Sequence, residues 1–401
     1  MTEQLFAGLK VIDCASFIAA PAAATVLSDF GADVIKIEPP GEGDAYRTLH
    51  AVPGTPKSNV DYAWLHGARN KRSIALNLKT PQGLEVLHRL VAKADVFVTN
   101  LPLPVRRRMM ISYEDLSSRN AQLIYASFTA YGEKGVEADK TGFDSTAYWA
   151  RSGLMDQVRP DSMSPPARSV AGMGDHPCSI ALYAAIVTGL YRRQLTGKGG
   201  LVSSSLLANG LWSNAFLVQA RLTGATIPPR PPRSQSLSAT TNMYRTRDNR
   251  WFNLAMVNDV KQYPLLVATL GRPELAADPR FATADARRAN VPALMAEFDD
   301  LFARFDLADL RTTLDAAGIT FGFVGTIDEA LDDQQMRDAG AIVPLADGSF
   351  ETISSPFHVE GAPKTPPRQA PGVGEHSDDV LREYGYSAEE ISRMRAAKAV
   401  A

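Results

Sequence analysis

The chain has 401 residues, 45% of them apolar and 21% charged, which excludes disorder and fibrous architecture and leaves room for two or three domain-sized cores. A net charge of −2 gives no electrostatic basis for nucleic acid or an anionic membrane as the main partner. No stretch approaches the ~20 uncharged apolar residues a membrane span needs, and the N-terminal residues lack the basic-then-apolar pattern of a secretory signal.

Two cysteines, Cys14 and Cys178, are too few and too far apart for a disulfide framework and fit a reducing cytoplasm. Lys10–Asp13 reads as a short buried strand. Pro21 to Phe30 reads as a helix with proline near its start and Gly31 as its stop. Asp33–Glu38 is a second strand closed by Pro39-Pro40, which completes a βαβ unit. Arg72 to Leu78 alternates apolar and polar residues; Thr80 caps and Pro81 opens a helix running to about Ala94. Asp95–Thr99 and Leu123–Phe128 follow as strands. This alternation predicts a parallel sheet with helices on both faces. Ligands of such sheets bind beyond the carboxyl ends of the strands, which points to the loops after Asp13, Glu38, Thr99 and Phe128.

Ser179 to Leu195 is an apolar helix, Leu201 to Ser205 a strand, and a further helix runs to about Thr223. The run Ile227-Pro-Pro-Arg-Pro-Pro-Arg233 cannot be helical and reads as an extended linker. Met243–Thr246 and Trp251–Ala255 form a hairpin pattern, and helical patterns follow at Lys261–Leu270, Pro292–Phe305 and Leu307–Ala317. The expected organisation is residues 1–224 as the N-terminal part of a large domain, 225–330 as a smaller domain, and 331–401 as a C-terminal segment. That segment carries short strands near Ile342 and Phe350, a proline-rich run and two capped helices. The second helix begins with a capping box of Ser387 and Glu390.

The histidines at 50, 66, 88, 176, 358 and 376 are scattered, with no His-Glu-x-x-His and no Cys-x-x-Cys, so no metal site is expected. Gly197-Lys-Gly-Gly200 follows a helix instead of opening one and reads as a turn, not a phosphate loop. Arg106-Arg-Arg108 follows a strand; one of the three is placed to hold a phosphate bidentately, the others being solvated. Asp144, after Thr141-Gly-Phe143, is either a helix N-cap or a functional carboxylate. Asp175, in Gly172-Met-Gly-Asp-His-Pro177, offers the same pair of readings. If functional, it is a carboxylate at a helix N-terminus, whose dipole would lower its pKa and favour the nucleophilic anion.

Taken in order, Asp13 to Pro39 with Gly-Ala-Asp-Val-Ile-Lys-Ile-Glu at 31–38, Asn70-Lys-Arg-Ser73, Leu76-Asn-Leu-Lys79, Asn100, Gly-Phe-Asp at 142–144, Gly-Asp at 174–175, Thr-Gly-Lys-Gly at 196–199 and Gly-Glu-His at 374–376 resemble the class III CoA-transferases over nearly the whole chain. The resemblance implies an α/β fold. A Rossmann-like large domain is completed by the C-terminal segment, a smaller α+β domain is inserted, and two subunits interlock as a homodimer. It implies that Asp175 is the nucleophile, with Asp144 beside it in the site. Transfer from an acyl-CoA to a carboxylic acid would pass through a mixed anhydride and an aspartyl-CoA thioester, with no metal and no permanently bound cofactor. For CoA it implies Leu76, Asn77, Lys79, Asn100, Leu101 and Arg108, together with Ile18, Ala19 and Thr141.

Several positions depart from formyl-CoA transferases: Ile18 replaces glutamine, Pro39 arginine and Thr141 lysine, and their glycine-rich loop is missing around Leu237–Thr241. These departures argue against oxalate as acceptor, and the stretch Gly142–Gly153 resembles transferases of larger acids, which implies a 2-hydroxy acid or a substituted dicarboxylate. The alternative is an acyl-CoA isomerase or α-methylacyl-CoA racemase of the same superfamily. Racemases carry a histidine where this chain has Phe143, which cannot shuttle a proton.

Overall fold

A computed structural model describes residues 4–401. Met1–Glu3, the start of the stretch read above for a secretory signal, lie outside the described residues. The chain divides into two compact units. One comprises the residues up to Val158 with Pro166–Ile227 and Gln335–Ala401; the other comprises Arg159–Pro165 and Pro228–Gln334.

The first unit is built on six parallel strands, β1 (Lys10–Asp13), β2 (Asp33–Glu38), β3 (Arg72–Ala75), β4 (Val96–Thr99), β5 (Ile124–Thr129) and β6 (Gly200–Ser205). Their order across the sheet is β3-β2-β1-β4-β5-β6. The order reverses between β1 and β4, which opens a crevice at their carboxyl ends. Alternation along the strands sends side chains to opposite faces. Ile12, Ile35, Phe97 and Tyr125 pack with helix α2 (Pro81–Val91) and with helices Ser377–Glu383 and Ala388–Ala396. Val11, Val34, Val98 and Ala126 pack with helices α1 (Ala19–Asp29) and α4 (Asp175–Thr196). A short helix, α3 (Leu103–Arg108), follows β4.

The helix after β1 begins two residues before Pro21, since proline lacks an N–H that no residue of a first turn can use. Thr80 caps α2 as its sequence predicts, accepting a hydrogen bond from the Gly83 N–H. The helix read over Ser179–Leu195 starts four residues earlier, so Asp175 lies in the first turn of α4. The helix expected to run to Thr223 is two helices, α5 (Leu206–Ser213) and α6 (Ala215–Leu222), parted at Asn214, whose amide donates to the Ser152 carbonyl at 3.0 Å. The strand expected to reach Leu78 ends at Ala75. Beyond it the chain is met by its own C-terminal residues: the Asn77 N–H donates to Ala399 at 2.9 Å, and Leu76 bridges Val400.

The second unit has a three-stranded antiparallel sheet, with Trp251–Ala255 between Thr241–Arg245 and Phe321–Phe323. Its core is aromatic, with the Phe252 and Phe302 rings edge to face at 4.8 Å.

Candidate active site

The loop after β1 is fixed from two sides. Asn100, just past β4, brackets Ser16: its Oδ1 accepts from the Ser16 N–H at 2.8 Å and its Nδ2 donates to the Ser16 carbonyl at 2.7 Å. Asp44 accepts from the Ser16 hydroxyl at 2.7 Å and from the Phe17 N–H at 3.2 Å. Under these bonds Phe17 is held left-handed, at φ 62°, a conformation that costs a bulky L-residue about 1–2 kcal/mol.

Beneath the loop lies a fully buried charge cluster. Lys36 Nζ is 2.8 Å from Asp44 and 3.6 Å from Asp13, and Lys71 Nζ is 2.9 Å from Asp13. Burial pushes the Asp44 carboxyl up, but the Lys36 charge and the bonds from Lys36, Tyr46 and Ser16 hold it below the usual carboxylate range. Lys36 is the one cation of β2, set between Ile35 and Ile37, and its ammonium also donates to the Ala15 carbonyl. The cluster ties the ends of β1 and β2 to the loop that carries Phe17.

A cavity of about 310 Å³ opens above this floor at the carboxyl ends of β1, β4 and β5. Its walls are largely apolar, with Phe17, Ile18, Ala19, Leu101, Phe128 and Leu206 facing Thr141, Phe143 and Asp175. A mostly apolar pocket with few polar groups is the usual form of a small-molecule site. The loops after β1, β4 and β5 line it as the strand reading predicts, whereas the loop directly after Glu38 does not.

Asp175 meets the cavity from the first turn of α4. Gly174 precedes it and is the N-cap, so Asp175 is not the cap that the sequence allowed. The Gly174 N–H donates to Asp144 Oδ2 at 3.3 Å. A Cβ on Gly174 would lie 2.7 Å from the Tyr148 ring and 3.0 Å from the Asp144 Cβ, so only glycine admits this approach. Asp144 is likewise no N-cap; it is the first residue of a wide helical turn, Asp144–Ala150, capped by Phe143. Such turns occur often at functional sites.

The expected depression of Asp175 by the helix dipole is overturned. Burial, with the Asp144 charge adding to it, raises the Asp175 carboxyl to about 7. Desolvation outweighs the partial charge at a helix terminus because the group sits against apolar walls. The neighbourhood responds in kind: burial and the Asp175 charge push the Tyr46 hydroxyl up to about 12. The His176 ring stands edge-on to His66 at 5.4 Å, and burial lowers both imidazoles.

Of the residues singled out in the sequence, Ile18, Ala19, Asn100, Leu101, Thr141 and Asp175 line the cavity, and Asp144 lies behind Asp175. Leu76, Asn77, Lys79 and Arg108 do not line it. Leu76 is part of the core, Asn77 is bonded to Lys398 and Ala399, and Lys79 is exposed. The three arginines divide clearly. Arg106 is buried and donates to the Ser127 hydroxyl at 2.6 Å and the Phe128 carbonyl at 2.9 Å, and Arg107 pairs with Asp139 at 2.8 Å. Arg108 is exposed with no partner among the described residues. The Asn100 side chain is spent on Ser16, so it shapes the site rather than offering a free amide.

Sequence reasoning missed Asp44, Lys36, Phe17 and Tyr46. The lysine inside Val-Ile-Lys-Ile-Glu was a visible signal, since a cation at the centre of a buried strand must be paired. Phe17 and Asp44 lie in two of the loops to which the strand pattern points, after Asp13 and Glu38, but nothing in their residue types marked them, and only the fold brings them together.

A family model described as CoA-transferase family III matches residues 6–377. The (R)-2-hydroxy-4-methylpentanoate CoA-transferase of Clostridioides difficile is 32% identical over 99% of this chain and 100% of its own length. The mouse α-methylacyl-CoA racemase is 28% identical over 98% of this chain and 97% of its own. Among solved structures, a CAIB/BAIF family protein from Brucella suis superposes with a TM-score of 0.84 at 30% identity, over 95% of this chain and all of that one.

Proposed function

Given that the chain belongs to CoA-transferase family III, we propose that it transfers CoA from an acyl-CoA donor to a carboxylic acid with the Asp175 carboxylate as the covalent carrier. The observation that carries this reading is a carboxylate with no hydrogen-bond partner among the described residues, on the wall of an apolar cavity and one residue from the backbone N–H that holds Asp144. A desolvated carboxylate is a stronger nucleophile than a hydrated one, and water kept from an anhydride cannot hydrolyse it.

In the first step an Asp175 oxygen attacks the thioester carbonyl; the C–S bond breaks, leaving a mixed anhydride and the CoA thiolate. The thiolate then attacks the aspartyl carbonyl and expels the donor's carboxylate, leaving an aspartyl-CoA thioester. The acceptor carboxylate attacks that thioester and releases the thiolate. Attack of the thiolate on the acceptor's acyl carbon restores the Asp175 carboxylate and delivers the new acyl-CoA. Each step exchanges one acyl bond for another, so no external energy source is required.

Ile18, Ala19, Leu101 and Thr141 would line the path of the CoA arm, while Lys79 and Arg108, both exposed and without ion-pair partners among the described residues, suit its phosphates. The acceptor we favour is larger than oxalate, in keeping with the apolar walls. A homodimer is also proposed: α4 to α6 leave Tyr191, Leu195, Trp212, Phe216 and Leu222 more than half exposed, a surface that calls for cover.

The test is mass spectrometry of the protein after incubation with acyl-CoA donors and trapping with hydroxylamine or borohydride. Modification at Asp175, absent in Asp175→Ala, is the expected result. An unmodified Asp175 alongside conversion of an acyl-CoA to its isomer overturns the transferase reading in favour of the racemase one.

A further inference from the structure

Phe17 and Phe143 pack edge to face in the wall of the cavity that Asp175 also lines, with ring centroids 6.3 Å apart. Both leave much of their surface uncovered: Phe17 is 40% and Phe143 64% exposed. Phe17 is held in a left-handed backbone by Asp44, an arrangement that turns its ring toward the cavity instead of burying it in the core. Strain retained at such a position points to use. Phe143 directly precedes Asp144, which bonds the N–H of the residue before Asp175, so the rings stand close to the carboxylate.

The charges around the cavity point the same way. Of its charged lining residues, Lys140 is paired with Glu137 at 3.0 Å and lies over the Tyr131 ring, and Asp139 is paired with Arg107. The remaining one is Asp175 itself. A substrate with a second carboxylate would therefore find no free cation among the lining residues, only aromatic faces and two aspartates.

Resting on the reading of Asp175 as the carrier, we propose that Phe17 and Phe143 select the acyl group, favouring branched aliphatic or aromatic monocarboxylic acids over acetyl and over dicarboxylic ones. An acyl carbon within reach of Asp175 places its side chain against these rings, where apolar surface is buried and a charged terminus is desolvated without a partner.

The test is isotope exchange between each acyl-CoA and its own labelled free acid, which requires no knowledge of the natural acceptor. The full chain is assayed with acetyl-, 4-methylpentanoyl-, 3-phenylpropanoyl- and succinyl-CoA. Wild type is expected to favour the two bulky apolar donors over acetyl and succinyl by at least about tenfold in kcat/KM. Phe17→Ala and Phe143→Ala are each expected to reduce that ratio about tenfold, and Phe143→Leu to recover part of it for 4-methylpentanoyl. Unfolding midpoints confirm that the variants remain folded.

A preference for succinyl-CoA, or a ratio that neither alanine variant moves, overturns the inference while leaving Asp175 as carrier. Equal losses with all four donors also overturn it, since the rings then touch the CoA arm common to all. Absence of exchange with every donor and no modification of Asp175 would defeat the carrier reading as well.

Discussion

Asp144 and Asp175 are two carboxylates brought together from separate helical segments: Asp144 accepts from the Gly174 N–H at 3.3 Å, and its charge adds to the burial that raises Asp175 to about 7. One carboxylate is anchored by a hydrogen bond, and the other is left facing the cavity. The arrangement keeps Asp175 close to the balance between its two protonation states at neutral pH.

Because the attacking group is the ionised carboxylate, formation of the Asp175 adduct should increase with pH through a midpoint near 7. Asp144→Asn removes one of the two causes of the shift and should move that midpoint lower. The check is the pH profile of single-turnover loading in both proteins. A midpoint unmoved by Asp144→Asn would mean that burial alone sets it.

The same shift bears on stability. Between the ordinary carboxyl value of 3.8 and about 7, the folded protein holds a proton at Asp175 that the unfolded chain has lost. This contribution to stability therefore falls as pH rises across that window and is fully lost above it. Asp175→Asn does not titrate, so it should exceed wild type by about 2–4 kcal/mol at pH 8 relative to their difference at pH 4. Denaturant unfolding at the two pH values measures this.

The left-handed Phe17 separates backbone strain from side-chain contact. Phe17→Ala loses the ring and keeps the strain, whereas Phe17→Gly loses the ring and relieves the strain. The glycine variant should be more stable than the alanine variant by about 1 kcal/mol, read from unfolding midpoints.

Lys36 neutralises two buried carboxylates, Asp13 and Asp44. Lys36→Met should destabilise the protein by about 3–5 kcal/mol, because it leaves those carboxylates buried without that partner. Lys36→Met combined with Asp44→Asn should recover part of the loss. A double variant no more stable than the single one would show that Asp13 carries the penalty.

The sheet and its site-forming loops were legible because strand and helix periods alternate cleanly from Lys10 to Phe128. Asp175 was legible as a candidate from its glycine-flanked position ahead of an apolar helix. Its protonation balance was not, because that depends on Asp144, 31 residues earlier in the chain, and on apolar walls from three separate loops. Phe17 was read as one letter of a motif; its backbone conformation is imposed by Asp44 and by the bracket that Asn100 forms around Ser16. The break at Asn214 escaped for a similar reason, since its partner, the Ser152 carbonyl, lies on a distant segment.

The C-terminal residues that cover β3 have a consequence for synthesis. The Ser73 carbonyl accepts from the His376 N–H, the Ser73 N–H meets the His376 ring across 303 positions of sequence, and Ala75 accepts from the Ala401 N–H. At about 5–20 residues per second, a ribosome spends roughly 15–60 s making the chain between these partners. For that interval β3 is an open sheet edge, able to pair with another nascent chain. Slow translation of the last hundred residues should therefore favour aggregation during expression, and co-expressed chaperones should relieve it.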